Sequence, residues 1–150
     1  AIRAAAKHPL RPPVPPSRAA KNRATIFVSY ARNDIETVAQ VIDRLRSSGG
    51  DVTWDQDFIG GTDFEQAICS AIDAARSVIV VWSPVSVQSP FVRDEARRAL
   101  RANKLITTHT AGFDAATSAP LGFGHLHTIP VDNQELVRKS LAAHGVILPN

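Results

Sequence analysis

The stretch Val78-Ile79-Val80-Val81-Trp82 is the most apolar strand-like run in the chain. An uninterrupted apolar run rich in β-branched residues is typical of a strand that is buried on both faces of a sheet. We therefore expect residues 78–82 to form a central strand. The next helix is expected to begin at Ser89-Pro90, because the first turn of a helix does not need the N–H that proline lacks.

Strand-like and helix-like segments alternate on both sides of this run. Further strands are predicted at residues 25–30, 51–55, 104–109 and 126–131, and helices at residues 34–48, from 62 onward and at 133–144. Such alternation predicts an α/β protein, a parallel sheet with helices on both faces. Ligands of such sheets bind outside the carboxyl ends of the strands, which is where Tyr30, Trp82 and Ser83 lie.

The charge of the chain is divided unevenly between a tail and a domain. Residues 1–24 contain six basic residues, no acidic residue and several prolines, a composition that favours an extended linker. Residues 25–150 contain 11 basic and 14 acidic residues. We therefore expect the folded domain at 25–150 and no nucleic-acid partner. The chain starts at Ala1 and has no methionine, which indicates a piece of a longer protein with an upstream domain.

Other composition features narrow the function classes. Cys69 is the single cysteine, which excludes an internal disulfide and indicates a reducing, cytoplasmic location. No apolar run approaches the roughly 20 residues that a membrane-spanning helix needs. His125 and His127 would share one face of the last predicted strand, but no third ligand lies nearby, so no metal site is expected.

Glu95 is the unusual acidic residue of the helix that follows Pro90. The helical spacing places it at the border of the buried stripe, one turn after Phe91, whereas Asp94 faces solvent. A half-buried carboxylate generally needs a functional reason or a charged partner. Two interpretations remain open at this point: a binding or catalytic carboxylate, and an ion pair with Arg98 or Arg32.

Six segments of the sequence fall in a recognisable order and spacing. They are Ile26-Phe27-Val28-Ser29-Tyr30, Val52-Thr53-Trp54-Asp55, Val80-Val81-Trp82-Ser83-Pro84, Phe91-Val92-Arg93-Asp94-Glu95-Ala96, Lys104-Leu105-Ile106, and Pro120-Leu121-Gly122-Phe123 with Leu126-His127-Thr128-Ile129. Together they resemble the Toll/interleukin-1 receptor (TIR) domain family in its bacterial form, over residues 25–145. Phe91 is a departure, because the family often has tryptophan or cysteine at that position.

The resemblance implies a fold and a set of site residues. The family fold is a flavodoxin-like three-layer sandwich with five parallel strands in the order 2-1-3-4-5. Glu95 corresponds to the family's catalytic glutamate. Implied substrate-binding residues are Tyr30, Arg32, Phe58, Trp82, Ser83 and Phe91. The loop after the second strand is implied to mediate self-association through Phe58, Ile59, Gly60, Gly61 and Thr62.

The resemblance also implies a reaction. Many members split NAD+ into nicotinamide and ADP-ribose or a cyclic isomer, so NAD+ is expected as the substrate, with no cofactor. Phe58, Trp82 or Phe91 would stack on a base, and Arg32 would meet the diphosphate. The chain would then be an effector module of bacterial immunity or cell suicide, activated by self-association and controlled by an upstream sensor. The alternative is a non-catalytic scaffold that binds other TIR domains through the loop at Phe58–Thr62.

Overall fold

The computed structural model describes residues 25–54 and 64–149, and within them it contains one sheet of five strands. All pairings are parallel, in the order β2-β1-β3-β4-β5. This confirms the predicted flavodoxin-like order. The strands are β1 Ile26–Ser29, β2 Val52–Trp54, β3 Ser77–Trp82, β4 Leu105–His109 and β5 Ile129–Pro130.

Helices cover both faces of the sheet. They are α1 Ile35–Ser47, α2 Phe64–Ala74, α3 Pro90–Arg101, α4 Ala115–Ser118 and α5 Gln134–Ala143, with short 3-10 turns at Arg32–Asp34 and Ser86–Gln88. Helices α1 and α5 pack on one face, in a core with Ile26 and Val28. Helix α2 and the end of α3 pack on the other, against Phe27 and Val78. Successive strand residues therefore point to opposite faces, as the pleat requires.

Strand β3 is the centre of the sheet. All six of its residues are buried, and it pairs with β1 on one side and β4 on the other. The apolar run at residues 78–82 therefore has no face in contact with water, which confirms the interpretation of that run. Polar residues in the neighbouring strand are satisfied internally: the Thr108 hydroxyl donates to the Val80 carbonyl oxygen at 2.9 Å.

The last strand differs from its prediction. A strand was expected at residues 126–131, but β5 comprises only Ile129 and Pro130, paired with Thr108 and His109. Pro130 has no N–H to donate, and the contact with β4 continues through the Val131 N–H, which donates to the His109 carbonyl oxygen at 2.9 Å. Residues 121–128 form turns and irregular chain instead, so His125 and His127 do not lie on a strand.

The helix ends follow the sequence signals that lie within the described residues. The Ser89 hydroxyl accepts a hydrogen bond from the Val92 N–H at 3.2 Å, and Pro90 occupies the first turn of α3. Helix α1 stops before Gly49, whose φ of +91° suits glycine. The expected linker at residues 1–24 and the loop at 58–62 lie outside the described residues. Among the helices of the described part, none is long and apolar enough to cross a bilayer.

Candidate active site at the edge of the sheet

Glu95 lies in the second turn of α3 and turns towards the sheet. Only 8% of the residue is exposed, and the Ser29 hydroxyl donates a hydrogen bond to its Oε1. Ser29 is the last residue of β1, and it faces α2 and α3 because Phe27, two residues earlier, packs on that side. The carboxylate is therefore held at the carboxyl end of the sheet, where α/β proteins bind ligands.

A cleft of about 240 Å³ opens beside this carboxylate, between α2 and α3. Ile68 and Ile72 give the cleft an apolar part, and Phe91 adds an aromatic ring that is 38% exposed. The cleft is therefore suited to a ligand with both a ring and charged groups. The residues that line it are Glu65, Ile68, Cys69, Ile72, Phe91, Asp94, Glu95, Arg97, Arg98 and Arg101.

The arginines around the cleft are not equivalent. Arg98 forms a two-pronged ion pair with Asp73 on α2, with both N–O distances 2.7 Å. The hydrogen bond from Arg98, opposed in part by burial, lowers the pKa of the Asp73 carboxyl and raises that of the Arg98 guanidinium. Arg97 stands 5.7 Å from the centre of the Phe123 ring and 3.5 Å from the exposed Asp94 carboxylate. Asp94 is thus a solvated charge, as its helical position predicted.

A second hydrogen-bonded group lies at the ends of β1 and β3. The Ser83 hydroxyl donates to Asp34 Oδ2 at 2.5 Å, and the Ser83 N–H donates to Ser86 Oγ at 2.7 Å. Ser86 Oγ donates in turn to the Val81 carbonyl at 2.8 Å. Ser83 is 1% exposed, so its hydroxyl joins the two strand ends rather than lining the cleft.

Tyr30, Arg32 and Trp82 are the other described residues that the resemblance implied. Tyr30 is buried, and its ring lies 5.5 Å from that of Trp54 on the α1 side of the sheet. Arg32 is exposed in the turn after β1. Trp82 is fully buried and packs edge-on against Phe123 at 5.3 Å, so in this structure it belongs to the core. Phe58, Ile59, Gly60, Gly61 and Thr62 lie outside the described residues.

Two residues with hydrogen-bonding or lining roles were not among the sequence candidates: Asp34 and Cys69. Asp34 lies two residues after Arg32, so its closeness to the end of β1 was the available signal. Cys69 carried the signal of a core position in its helix, yet it is only partly buried and lines the cleft. Across residues 25–54 and 64–149, no three His, Cys, Asp or Glu side chains are grouped to hold a metal ion.

The fold and the site together define a class of protein. It is a parallel α/β sandwich with a buried carboxylate at the carboxyl edge of its sheet. A family model for the TIR domain matches residues 26–140. The chain therefore belongs to the TIR domain family. A comparison with curated proteins gave no match.

Solved structures share the fold. The TIR domain of the Toll-related receptor TRR-2 from Hydra magnipapillata superposes with a TM-score of 0.66 at 17% identity, covering 82% of this chain and 99% of that one. A TIR-STING receptor from C. gigas, in complex with 2′,3′-cGAMP, gives 0.67 at 23% identity, covering 83% and 40%. The TIR domains of the activated Roq1 resistosome give 0.56 at 19% identity, covering 63% and 61%.

Proposed function

We propose that this TIR domain cleaves NAD+ between nicotinamide and ribose. The observation that carries the proposal is the Glu95 carboxylate, which is buried, held by the Ser29 hydroxyl and open to a cleft that also contains the exposed Phe91 ring. A carboxylate beside an aromatic surface suits a positively charged ring and the sugar attached to it.

The chemistry needs only one carboxylate. The bond from ribose C1′ to the ring nitrogen breaks, and its electron pair stays on nitrogen, which neutralises the pyridinium. Because the leaving group is already cationic, no acid is required to protonate it. Positive charge develops on the ribose, as in glycoside cleavage generally. Glu95 stabilises this charge and positions the sugar. Water then adds at C1′ and loses a proton, giving ADP-ribose; attack by the adenine ring gives a cyclic isomer.

The burial of Glu95 strengthens its effect. Charges interact more strongly when water is excluded, and a fixed carboxylate needs no reorganisation as the transition state forms. Ser29 donates through a neutral hydroxyl, which orients the carboxylate without cancelling its charge. The Phe91 ring offers a stacking surface for nicotinamide in place of the indole found in many relatives.

We further propose that this domain is part of a larger bacterial protein. Residues 1–24 would link the domain to an upstream sensor in the cytoplasm, and the activity would serve immunity or cell suicide. Self-association would switch it on, with the loop at Phe58–Thr62 as the contact. The fold likeness to TIR domains described in an activated resistosome supports an assembly-dependent mechanism.

The direct test is nicotinamide release. The protein is incubated with NAD+ at high concentration, with and without a crowding agent, and the products are separated by chromatography. We expect release by the unmodified chain and a loss of about 100-fold in Glu95→Gln. Glutamine keeps the acceptor for Ser29 and the side-chain volume, so the loss would report the charge. Full activity in Glu95→Gln would refute the proposal.

Glu135→Gln is the matched control. Glu135 lies on α5, on the other face of the sheet, and its exposed carboxylate is 3.6 Å from the Lys139 ammonium. The same loss of charge there should leave turnover unchanged. If the unmodified chain releases no nicotinamide while light scattering shows that it assembles, the scaffold function replaces the enzymatic one.

A further inference from the structure

The cleft between α2 and α3 has charges of opposite sign at its two ends. Glu65 lies in the first turn of α2, and Asp94 and Glu95 lie in the first half of α3. Arg98 and Arg101 lie in the last turn of α3. Both helices run from the carboxyl edge of the sheet back to its amino edge, so the acidic end is at the carboxyl edge and the basic end is further in.

The cations at the basic end differ in the partners that they bind. Arg98 forms an ion pair with Asp73. The Lys104 ammonium donates to the carbonyl oxygens of Asp73 and Ala75 at 3.0 and 2.7 Å, and burial lowers its pKa. Arg101 is exposed and makes no hydrogen bond or ion pair with the residues that the structure describes. Among the residues that the structure describes at this end, Arg101 is therefore the cation that remains available to a ligand.

We propose that Arg101 binds the diphosphate of a dinucleotide whose cationic ring lies at Glu95, an assignment that rests on the proposed function. The ligand class is a pyridinium nucleotide, which carries positive charge on one ring and negative charge on its phosphates. Its charge distribution matches that of the cleft. Five residues of helix lie between Glu95 and Arg101, so the rise from one to the other is about 9 Å along the axis. A ribose that carries the diphosphate on its C5′ can bridge this span.

The assignment differs from the sequence-based expectation for the diphosphate. Arg32 was expected to meet it, but Arg32 lies in the exposed turn after β1 and is not among the lining residues of this cleft. A guanidinium presents paired N–H donors that fit phosphate oxygens, so one well-placed arginine gives both charge and geometry. Arg101 is therefore the specificity residue for phosphorylated ligands, and Glu95 for the cationic sugar.

Binding of ADP-ribose tests the assignment without any turnover. ADP-ribose carries the diphosphate but no pyridinium, and its affinity is measured by calorimetry. We expect Arg101→Gln to bind it roughly tenfold more weakly than the unmodified chain. Arg76→Gln removes the same charge from an exposed position at the amino end of β3 and should bind normally. Equal affinity in Arg101→Gln, an equal loss in both variants, or no binding by the unmodified chain would each overturn the assignment.

Kinetics separate this assignment from the proposed reaction. With NAD+, Arg101→Gln should raise KM roughly tenfold and leave kcat unchanged, because the contact is made equally in the ground and transition states. With nicotinamide riboside, which has no phosphate, the variant and the unmodified chain should have the same KM and the same kcat. A chain that binds ADP-ribose through Arg101 but releases no nicotinamide would refute the reaction and keep the assignment.

Discussion

The Ser29 hydroxyl, at the end of β1, donates a hydrogen bond to the carboxylate of Glu95 on α3. The two residues are 66 positions apart in the sequence, and the sheet and the helix bring them together. A buried carboxylate is costly unless hydrogen bonds replace its water. The hydroxyl supplies one such bond and leaves the negative charge in place, which a reaction with a cationic sugar requires.

Removing this hydroxyl should affect both catalysis and stability. In Ser29→Ala the carboxylate loses a donor and its fixed orientation, so we expect kcat/KM for NAD+ to fall about tenfold. The free energy of unfolding should fall by about 1–2 kcal/mol, because a buried acceptor loses a partner. Nicotinamide release and urea unfolding measure the two effects. Ser29→Thr keeps the hydroxyl and should recover most of the activity; an alanine variant with normal turnover would contradict a positioning role.

The Ser83–Asp34 hydrogen bond should matter for stability rather than for chemistry. The bond joins the buried Ser83, directly after β3, to Asp34 in the turn after β1. We expect Ser83→Ala to lower the free energy of unfolding by about 1–2 kcal/mol.

Two aspartate variants provide the comparison for that bond. Asp34→Ala removes the acceptor and should destabilise the protein to a similar degree. Asp43→Ala removes an exposed carboxylate from α1 and should have little effect. Urea unfolding of the three variants measures the differences. Equal stability of Ser83→Ala and the unmodified chain would mean that the bond contributes nothing in solution.

Local patterns were sufficient to predict the elements at the centre of the fold. The apolar run of β3 and the Ser89-Pro90 start of α3 depend on neighbouring residues alone, and both are confirmed. The border position of Glu95 followed from helical spacing, and its burial agrees. The strand order came from the family resemblance, since no local pattern says which strands are neighbours.

Local sequence patterns could not predict contacts between segments that are distant in the sequence. Ser83 and Asp34 are 49 positions apart, and their bond depends on strand register and on the turn after β1. The position of the Trp82 ring also depends on a distant residue. Its place at a strand end suggested that the ring lines the cleft, but the ring packs in the core against Phe123. The short β5 was missed because Leu126 and Thr128 are strand-like residues, whereas the chain before Ile129 forms turns, in which the Leu126 N–H donates to the Phe123 carbonyl oxygen at 3.1 Å.

Stability should depend on pH through His144. Its Nδ1 lies 2.7 Å from the Ser77 hydroxyl at the start of β3, and burial lowers its pKa below the usual value of about 6.5. The folded state therefore binds a proton less readily than the unfolded state. Neutral His144 therefore makes its full contribution to the free energy of unfolding above about pH 6.5. This contribution is lost as the pH falls through the lowered pKa of the folded state. Urea unfolding from pH 8 to pH 5 should show this decline.

Histidine variants identify the source of that pH dependence. His144→Gln keeps a polar group near Ser77 but does not titrate, so the stability of this variant should change less over the same pH range. His125→Gln removes an exposed histidine from the segment before β5 and should retain the decline of the unmodified chain. An unchanged slope in His144→Gln would assign the pH dependence to other groups.

Cys69 provides a chemical probe of the cleft. It is the single cysteine of the chain, it is partly exposed, and it lines the cleft with Glu95 and Arg101. A ligand in the cleft should therefore block alkylation by N-ethylmaleimide, and the labelling rate should fall in proportion to the fraction of sites occupied. Intact-mass spectrometry at increasing ADP-ribose concentration measures this, and Cys69→Ser should show no label. In Arg101→Gln the protection should require roughly tenfold more ligand. Undiminished labelling at saturating ADP-ribose would place the ligand outside the space between α2 and α3.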